Sequence, residues 1–164
     1  MKRKILFLCV HNSARSQMAE AIINGKNLPD FEAFSAGSDP AIVVHPLAQD
    51  VLEEQGIDRN VLKTKHMDEY LGESFDFVIT LCDKMKEQCP VFLGQPVYAH
   101  WSMEDPTEIE GSVEEKKKAF HDAYRLIGMR INRFLNIPVE KLDRAALEIN
   151  TQAVADVTLD SDKI

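Results

Sequence analysis

A short apolar run that passes directly into a polar loop and then a helix limits this chain to few folds. Lys4 to Val10, apolar throughout from Ile5 and following charged residues, has the pattern of a strand buried in a parallel sheet. His11-Asn-Ser-Ala-Arg-Ser16 is polar, and in Gln17 to Ile23 the apolar Met18, Ala21 and Ile22 recur with helical spacing. Gly25 and Asn27 are stop signals, Pro29 follows them, and Phe31-Glu-Ala-Phe-Ser35 alternates well enough for a second strand. Strand, loop, helix and strand in that order make a right-handed βαβ unit.

The rest of the chain repeats the theme. Pro46 suits the first turn of a helix that runs to about Gln55, with Leu47, Val51 and Leu52 on one face and Gly56 at its end. His66 to Leu71 reads as a short helix. Phe75 to Leu81 is a third strand leading into Cys82, and Pro96 to His100 a fourth leading into Trp101. Ser112 to Leu135 carries Glu114 and Glu115 at its start and Phe120, Tyr124, Ile127, Ile131 and Phe134 at helical spacings. The expected fold is a single α/β domain of three layers, a central four-stranded parallel sheet flanked by helices, over residues 1–145. Residues 146–164 lose their apolar periodicity and are expected to be a loosely ordered tail without a catalytic role.

The 164 residues suit one domain, and a formal net charge of −8 argues against binding to nucleic acid or an anionic membrane. An anionic substrate must therefore be held by local structure. The run from Ile5 to Val10 is too short to span a bilayer and lacks a signal-peptide pattern, so a cytoplasmic protein, a monomer, is expected. Its three cysteines are then reactive thiols before they are a disulfide framework. Zinc is disfavoured, because a structural site wants about four ligands and usually a closely spaced pair. Cys82 and Cys89 enclose six residues, and no metal site is expected.

Cys9 and Arg15 bracket five residues, Ser16 follows, and the pattern falls where strand gives way to helix. The backbone N–H groups of Val10, His11, Asn12, Ser13, Ala14 and Arg15 can converge on a tetrahedral oxyanion, and the helix N-terminus adds unpaired donors and a favourable dipole. Arg15 can grip two oxygens at once, which a lysine cannot do with the same orientational control. Ser16 can donate to the cysteine sulfur. Such surroundings are expected to lower the Cys9 thiol from about 8.5 into the range of about 3.5–7.5. The alternative is a buried strand cysteine beside an exposed helical arginine.

The run Cys9-Val-His-Asn-Ser-Ala-Arg-Ser-Gln-Met-Ala-Glu-Ala21 resembles the amino-terminal signature of arsenate reductases related to the low-molecular-weight tyrosine phosphatases. Phe34-Ser-Ala-Gly37, Val78-Ile-Thr-Leu-Cys-Asp83, Cys89-Pro90, His100-Trp101 and Asp105-Pro106 fall in the family's order, so the resemblance covers about residues 4 to 135. It implies the low-molecular-weight phosphatase fold, Cys9 as nucleophile and Asp105 as general acid. It also implies a relay in which Cys82 attacks the Cys9 sulfur and Cys89 then takes over the disulfide. Two thiols becoming a disulfide supply the two electrons that arsenate reduction needs. The pair points to thioredoxin as electron donor, with no tightly bound cofactor. The polar segment between Cys82 and Cys89 is expected to form a short exposed helix able to loop out. Asn12, Glu20 and Ser35 match positions that hold the loop in relatives, some of which use a monovalent cation. Lys65 stands where those relatives have a carboxylate, and two readings are open: its ammonium replaces that cation beside Glu20, or it is an ordinary surface lysine.

The rival activity is a phosphatase acting on phosphotyrosine or small phosphate esters, which needs only Cys9, Arg15 and Asp105. Thr107-Glu-Ile-Glu110 after the Asp-Pro supplies no aromatic wall for a phosphorylated acidic peptide. A third class is a sensor that binds oxyanion or reports redox state without turnover.

Overall fold

The computed structural model describes residues 1–162. Strands β1 (Arg3–Leu8), β2 (Phe31–Ala36), β3 (Phe77–Thr80) and β4 (Val97–His100) form one parallel sheet in the order β2-β1-β3-β4. Helices α1 (Arg15–Gly25), α2 (Pro46–Glu54), α3 (Asp83–Gln88), α4 (Val113–Leu135) and α5 (Arg144–Ala153) connect and cover the strands. The segment read as a helix from His66 is a single 3₁₀ turn, Met67–Tyr70. No helix among the described residues is long and apolar enough to cross a membrane.

Alternation along each strand divides the interior into two clusters. Ile5 and Phe7 of β1 with Cys9 just beyond it, and Phe77 and Ile79 of β3 with Leu81 just beyond it, face α1, α2 and α4 in the larger one. Leu6, Leu8 and Val78 face the other way, onto Phe75, Met85 and Phe92. That second face is covered by short pieces: the turn at Met67, α3 and the loop that follows it. Helix α4 docks through Phe120, Ala123, Ile127, Ile131 and Phe134, and its first turn is closed by a capping box between Ser112 and Glu115. Phe134 makes edge contacts with Phe31, Phe77 and Trp101 at centroid distances of 5.0–5.8 Å, each worth roughly 0.5–1.5 kcal/mol beyond burial.

The strand order fixes where ligands bind. From β1 the chain winds one way to β2 and the other way to β3, so a topological switch point lies at the carboxyl ends of β1 and β3. Leu8 is paired with Thr80, and the Leu81 N–H donates to the Leu8 carbonyl at 2.9 Å. Cys9 and Cys82 therefore leave the sheet on neighbouring strands.

The expectation of a loose tail from residue 146 is corrected. Helix α5 crosses that boundary, starting at Arg144 under an Asp143 cap, and packs along β4. β4 is an edge strand, and α5 pairs part of its open side. The Gln152 amide donates to the His100 carbonyl at 2.8 Å and its oxygen accepts from the His100 N–H at 2.8 Å. Arg144 donates to the carbonyls of Gln95 and Pro96 at 2.6 and 2.7 Å. Trp101 Nε1 donates to the Thr151 carbonyl at 2.9 Å. Thr151 and Val154 are buried, but one is polar and the stripe is short. Leu147, Val154 and Ala155 add apolar contacts to the main core beside these hydrogen bonds.

Candidate active site

The loop from Cys9 to Ala14 joins β1 to α1. Its carbonyls are occupied on the outside, where Val10, His11 and Ser13 accept from the N–H groups of Asp39, Ala41 and His45 at 2.8–2.9 Å. The loop's own N–H groups are thereby turned inward, and those of Asn12 and Ser16 act on the Cys9 sulfur. Asn12 adopts φ 48°, a left-handed conformation that asparagine tolerates better than most residues. Its side chain is fully buried and spoken for: Oδ1 accepts from the Lys65 N–H at 2.9 Å and from Gln17 Nε2 at 3.0 Å, and Nδ2 donates to Ser16 Oγ at 2.7 Å. Ser16 Oγ lies 2.8 Å from Cys9 Sγ, so it becomes the donor when Cys9 ionises.

Burial pushes the Cys9 thiol above its ordinary value. The Ser16 hydroxyl, the Arg15 charge and the N–H groups of Ser16 and Asn12 pull it down, but less strongly. The lowering influences expected from the sequence are all present, and because Cys9 is 3% exposed, desolvation of the thiolate opposes them. Arg15 is 8% exposed, with Nη1 donating to the Met103 carbonyl at 3.2 Å and Nη2 3.2 Å from Asp105 Oδ2. The other Asp105 oxygen accepts from the N–H and hydroxyl of Thr107, capping the 3₁₀ turn Pro106–Glu108. Asp105 therefore stands over the mouth of the loop on the same guanidinium that faces the cradle.

Glu20 Oε2 accepts from Ser35 Oγ at 2.6 Å and lies 3.3 Å from Lys65 Nζ, which also donates to the Lys63 carbonyl at 2.9 Å. Gln17, which the sequence reading passed over, is 1% exposed and ties the Asn12 carbonyl, the Asn12 side chain and the Lys63 carbonyl together. Its place directly after Arg15-Ser16 was the available signal. His45 was also missed: it caps α2, stacks on Phe120 at 4.7 Å, and its N–H holds Ser13.

Gly37 sits against the back of the loop, where a Cβ would overlap the carbonyl oxygens of Cys9 and Val10. Neither backbone can retreat without moving Cys9. Gly37→Ala is expected to cost about 2–3 kcal/mol in urea unfolding and to weaken protection of Cys9 by phosphate against alkylation.

The three thiols are not gathered at one point. Cys82, partly buried, packs against both hydrophobic clusters, including the one that contains Cys9. Cys89 packs only against the second, across α3, and burial pushes its thiol up to about 11. Helix α3 keeps the two apart: seven residues at about 1.5 Å rise separate their Cα atoms by roughly 10 Å, beyond the roughly 7 Å that a disulfide spans. Asp83 in its first turn accepts from Ser102 Oγ at 3.1 Å and pairs with His100 Nε2 at 2.8 Å, and the His100 bond holds the Asp83 carboxyl below its usual range.

The profile described as low molecular weight phosphotyrosine protein phosphatase matches residues 4–148, further than the stretch of resemblance read from the motifs. The arsenate reductase of Halalkalibacterium halodurans is 36% identical over 133 residues, covering 81% of this chain and 95% of that one. The solved thioredoxin-dependent arsenate reductase of Corynebacterium glutamicum superposes with a TM-score of 0.53 at 30% identity, covering 76% of this chain and 59% of that one. This chain thus spans little more than half of that structure. The YwlE arginine phosphatase of Geobacillus stearothermophilus superposes with a TM-score of 0.60 at 26% identity, covering 87% of this chain and 99% of that one.

Proposed function

The chain belongs to the low molecular weight phosphotyrosine protein phosphatase family, and within it we infer an arsenate reductase that works by a three-thiol relay. The observation that carries this reading is a pair of cysteines that leave the sheet on neighbouring strands, Cys9 in the loop before α1 and Cys82 at the head of α3, with a third, Cys89, at the far end of that helix. A phosphatase needs the first alone. The arsenate reductases among the relatives support the same choice.

Arsenate lies in the loop of residues 10–15, with Arg15 on two of its oxygens. The Cys9 thiolate attacks arsenic, and Asp105 gives a proton to the oxygen that leaves, so water departs and a Cys9–arsenic ester remains. Cys82 thiolate then attacks the Cys9 sulfur. The sulfur–arsenic bond breaks, its electron pair stays on arsenic, and arsenite leaves behind a Cys9–Cys82 disulfide. Cys89 attacks Cys82, freeing the Cys9 thiolate and closing a Cys82–Cys89 disulfide, which thioredoxin reduces by thiol exchange. Because α3 holds Cys82 and Cys89 too far apart, that closure requires the helix to unwind. Hydrogen exchange in residues 82–95 is expected to increase on oxidation.

Arsenate-dependent NADPH oxidation with thioredoxin and thioredoxin reductase tests the reading, with glutaredoxin and glutathione as the parallel donor. Turnover with thioredoxin that falls by about 10²-fold in Arg15→Lys, which loses the planar fork, is the expected result. Hydrolysis of an aryl phosphate through Cys9, with no arsenite formed, would give the protein to the phosphatases.

Asn12, Ser35 and Glu20 support the loop, and the Lys65 ammonium stands where a monovalent cation would have to bind Glu20. The residues present do not suit such a cation. The pair is largely shielded, with side-chain exposures of 14% and 23%. Potassium at constant ionic strength is expected to leave wild-type turnover unchanged. Lys65→Met is expected to raise KM for arsenate roughly tenfold and to regain part of that loss with potassium. Strong potassium activation of the wild type would overturn the assignment.

A further inference from the structure

Arg130 is the one buried cationic side chain outside the anion site among the described residues, at 4% exposure on α4. Its partners are backbone carbonyls on two separate segments. Nη1 donates to Trp101 and Ser102 at 3.1 and 3.0 Å, Nη2 to Ala155 at 3.0 Å, and Nε to Val157 at 3.1 Å. Burying a guanidinium is costly, and here the return is that one rigid fork clamps the segment leaving β4 to the turn that follows α5. Trp101 Nε1 on Thr151 makes a second tie between the same two segments.

The clamped segment is the root of the acid loop. Trp101 and Ser102 lead within one residue to Met103, whose carbonyl receives Arg15 Nη1, and within three to Asp105, which pairs with Arg15 Nη2. On its inner side this stretch is held by the Trp101 N–H to Thr80 at 2.8 Å and by the Met103 N–H to Leu81 at 3.3 Å. On its outer side the ties are Arg130 and Thr151. The outer ties end on residues 151–157, beyond the 4–148 stretch shared with the family.

We propose that Arg130, braced by the carboxyl-terminal turn at residues 154–157, is a positioning residue that holds Asp105 in register with Arg15 and the oxyanion. The proposal rests on Asp105 being the proton donor of the reaction inferred above. The segment expected to be an inert tail becomes the outer wall of the acid loop. Its influence falls on proton transfer to the departing oxygen more than on capture of the anion, which the loop of residues 10–15 performs with its own N–H groups and the Arg15 fork.

The test approaches the clamp from both sides in the full chain. Arg130→Lys keeps the charge and loses the fork; Val154→Ala loosens the turn and leaves Arg130 intact. Each is expected to slow single-turnover arsenite release about tenfold, while protection of Cys9 from alkylation by inorganic phosphate changes by less than about twofold. Asp105→Asn alone is expected to slow release about 10²-fold, and adding Arg130→Lys to it should cost no more than about twofold further, since the brace then has no acid to place. If the two losses multiply, or if phosphate protection falls in step with turnover, Arg130 is a general stabiliser and the proposal is overturned. If Asp105→Asn releases arsenite at the wild-type rate, the proton-donor role itself has failed, a different result from an Arg130 variant that fails to couple to a demonstrated acid. Should Arg130→Lys not fold, the same cycle run with Val154→Ala decides between these outcomes.

Discussion

Cys89→Ser protein mixed with arsenate is expected to release about one arsenite per chain and then stop, with Cys9 and Cys82 left joined. Cys9 and Cys82 hold both electrons that the reduction consumes, and they leave the sheet on neighbouring strands. Cys89 contributes no electrons to the first arsenite; it clears the nucleophile for the second. Sustained turnover with thioredoxin should therefore fall by at least about 10³-fold, while the first-turnover amplitude survives. Cys82→Ser and Cys9→Ser should release none. Arsenite counted in quenched samples, with disulfides mapped in alkylated peptides, checks each arm. Continued turnover in Cys89→Ser would mean that thioredoxin resolves the Cys9–Cys82 bond directly, leaving Cys89 outside the relay.

Strands and anchoring helices were legible because their patterns are local. The apolar run from Ile5 marks a buried strand, which ends at Leu8, two residues before the run does, and Phe120 to Phe134 carries its own helical period. The cradle was legible for the same reason, since Cys9, Arg15 and Ser16 are consecutive parts of one strand-loop-helix passage. What sequence did not disclose depends on distant partners. Arg130 reads as one more charge on a helix until four carbonyls close around it. Gln17 reads as a helix residue until Lys63 and Asn12 are brought beneath it. Dipole and charge at Cys9 can be inferred from neighbours in the chain, whereas the desolvation that opposes them comes from the fold as a whole. The tail was misjudged because α5 is a ten-residue helix whose ties to the strand edge come from distant partners: Gln152 on His100 and Arg144 on Gln95.

The last exchange of the relay is expected to accelerate about tenfold per pH unit from neutral up to about pH 10, and to limit turnover at pH 7. Burial raises the Cys89 thiol from an ordinary value of 9.0 to about 11, so near pH 7 about 10⁻⁴ of it is thiolate. Relative to an ordinary thiol, that shift removes about 100-fold of the reactive form. The sign for stability is the opposite. The folded chain binds the Cys89 proton more tightly than the unfolded chain does, so that contribution is intact below the ordinary thiol range and is lost as pH rises through about 11. Unwinding α3 removes the cause of the shift, because Cys89 owes its burial to packing against the cluster of Met85 and Phe92. The event that brings Cys89 within bonding distance of Cys82 therefore also lets its thiol ionise, and geometry and reactivity are gated together. Rapid quenching of the Cys9–Cys82 form, followed by mass mapping of its conversion to Cys82–Cys89 at several pH values, measures the slope. Met85→Ala, which loosens α3, should speed that conversion at neutral pH and flatten the slope. A conversion rate independent of pH would mean that unwinding alone is limiting and that Cys89 is already ionised when it arrives.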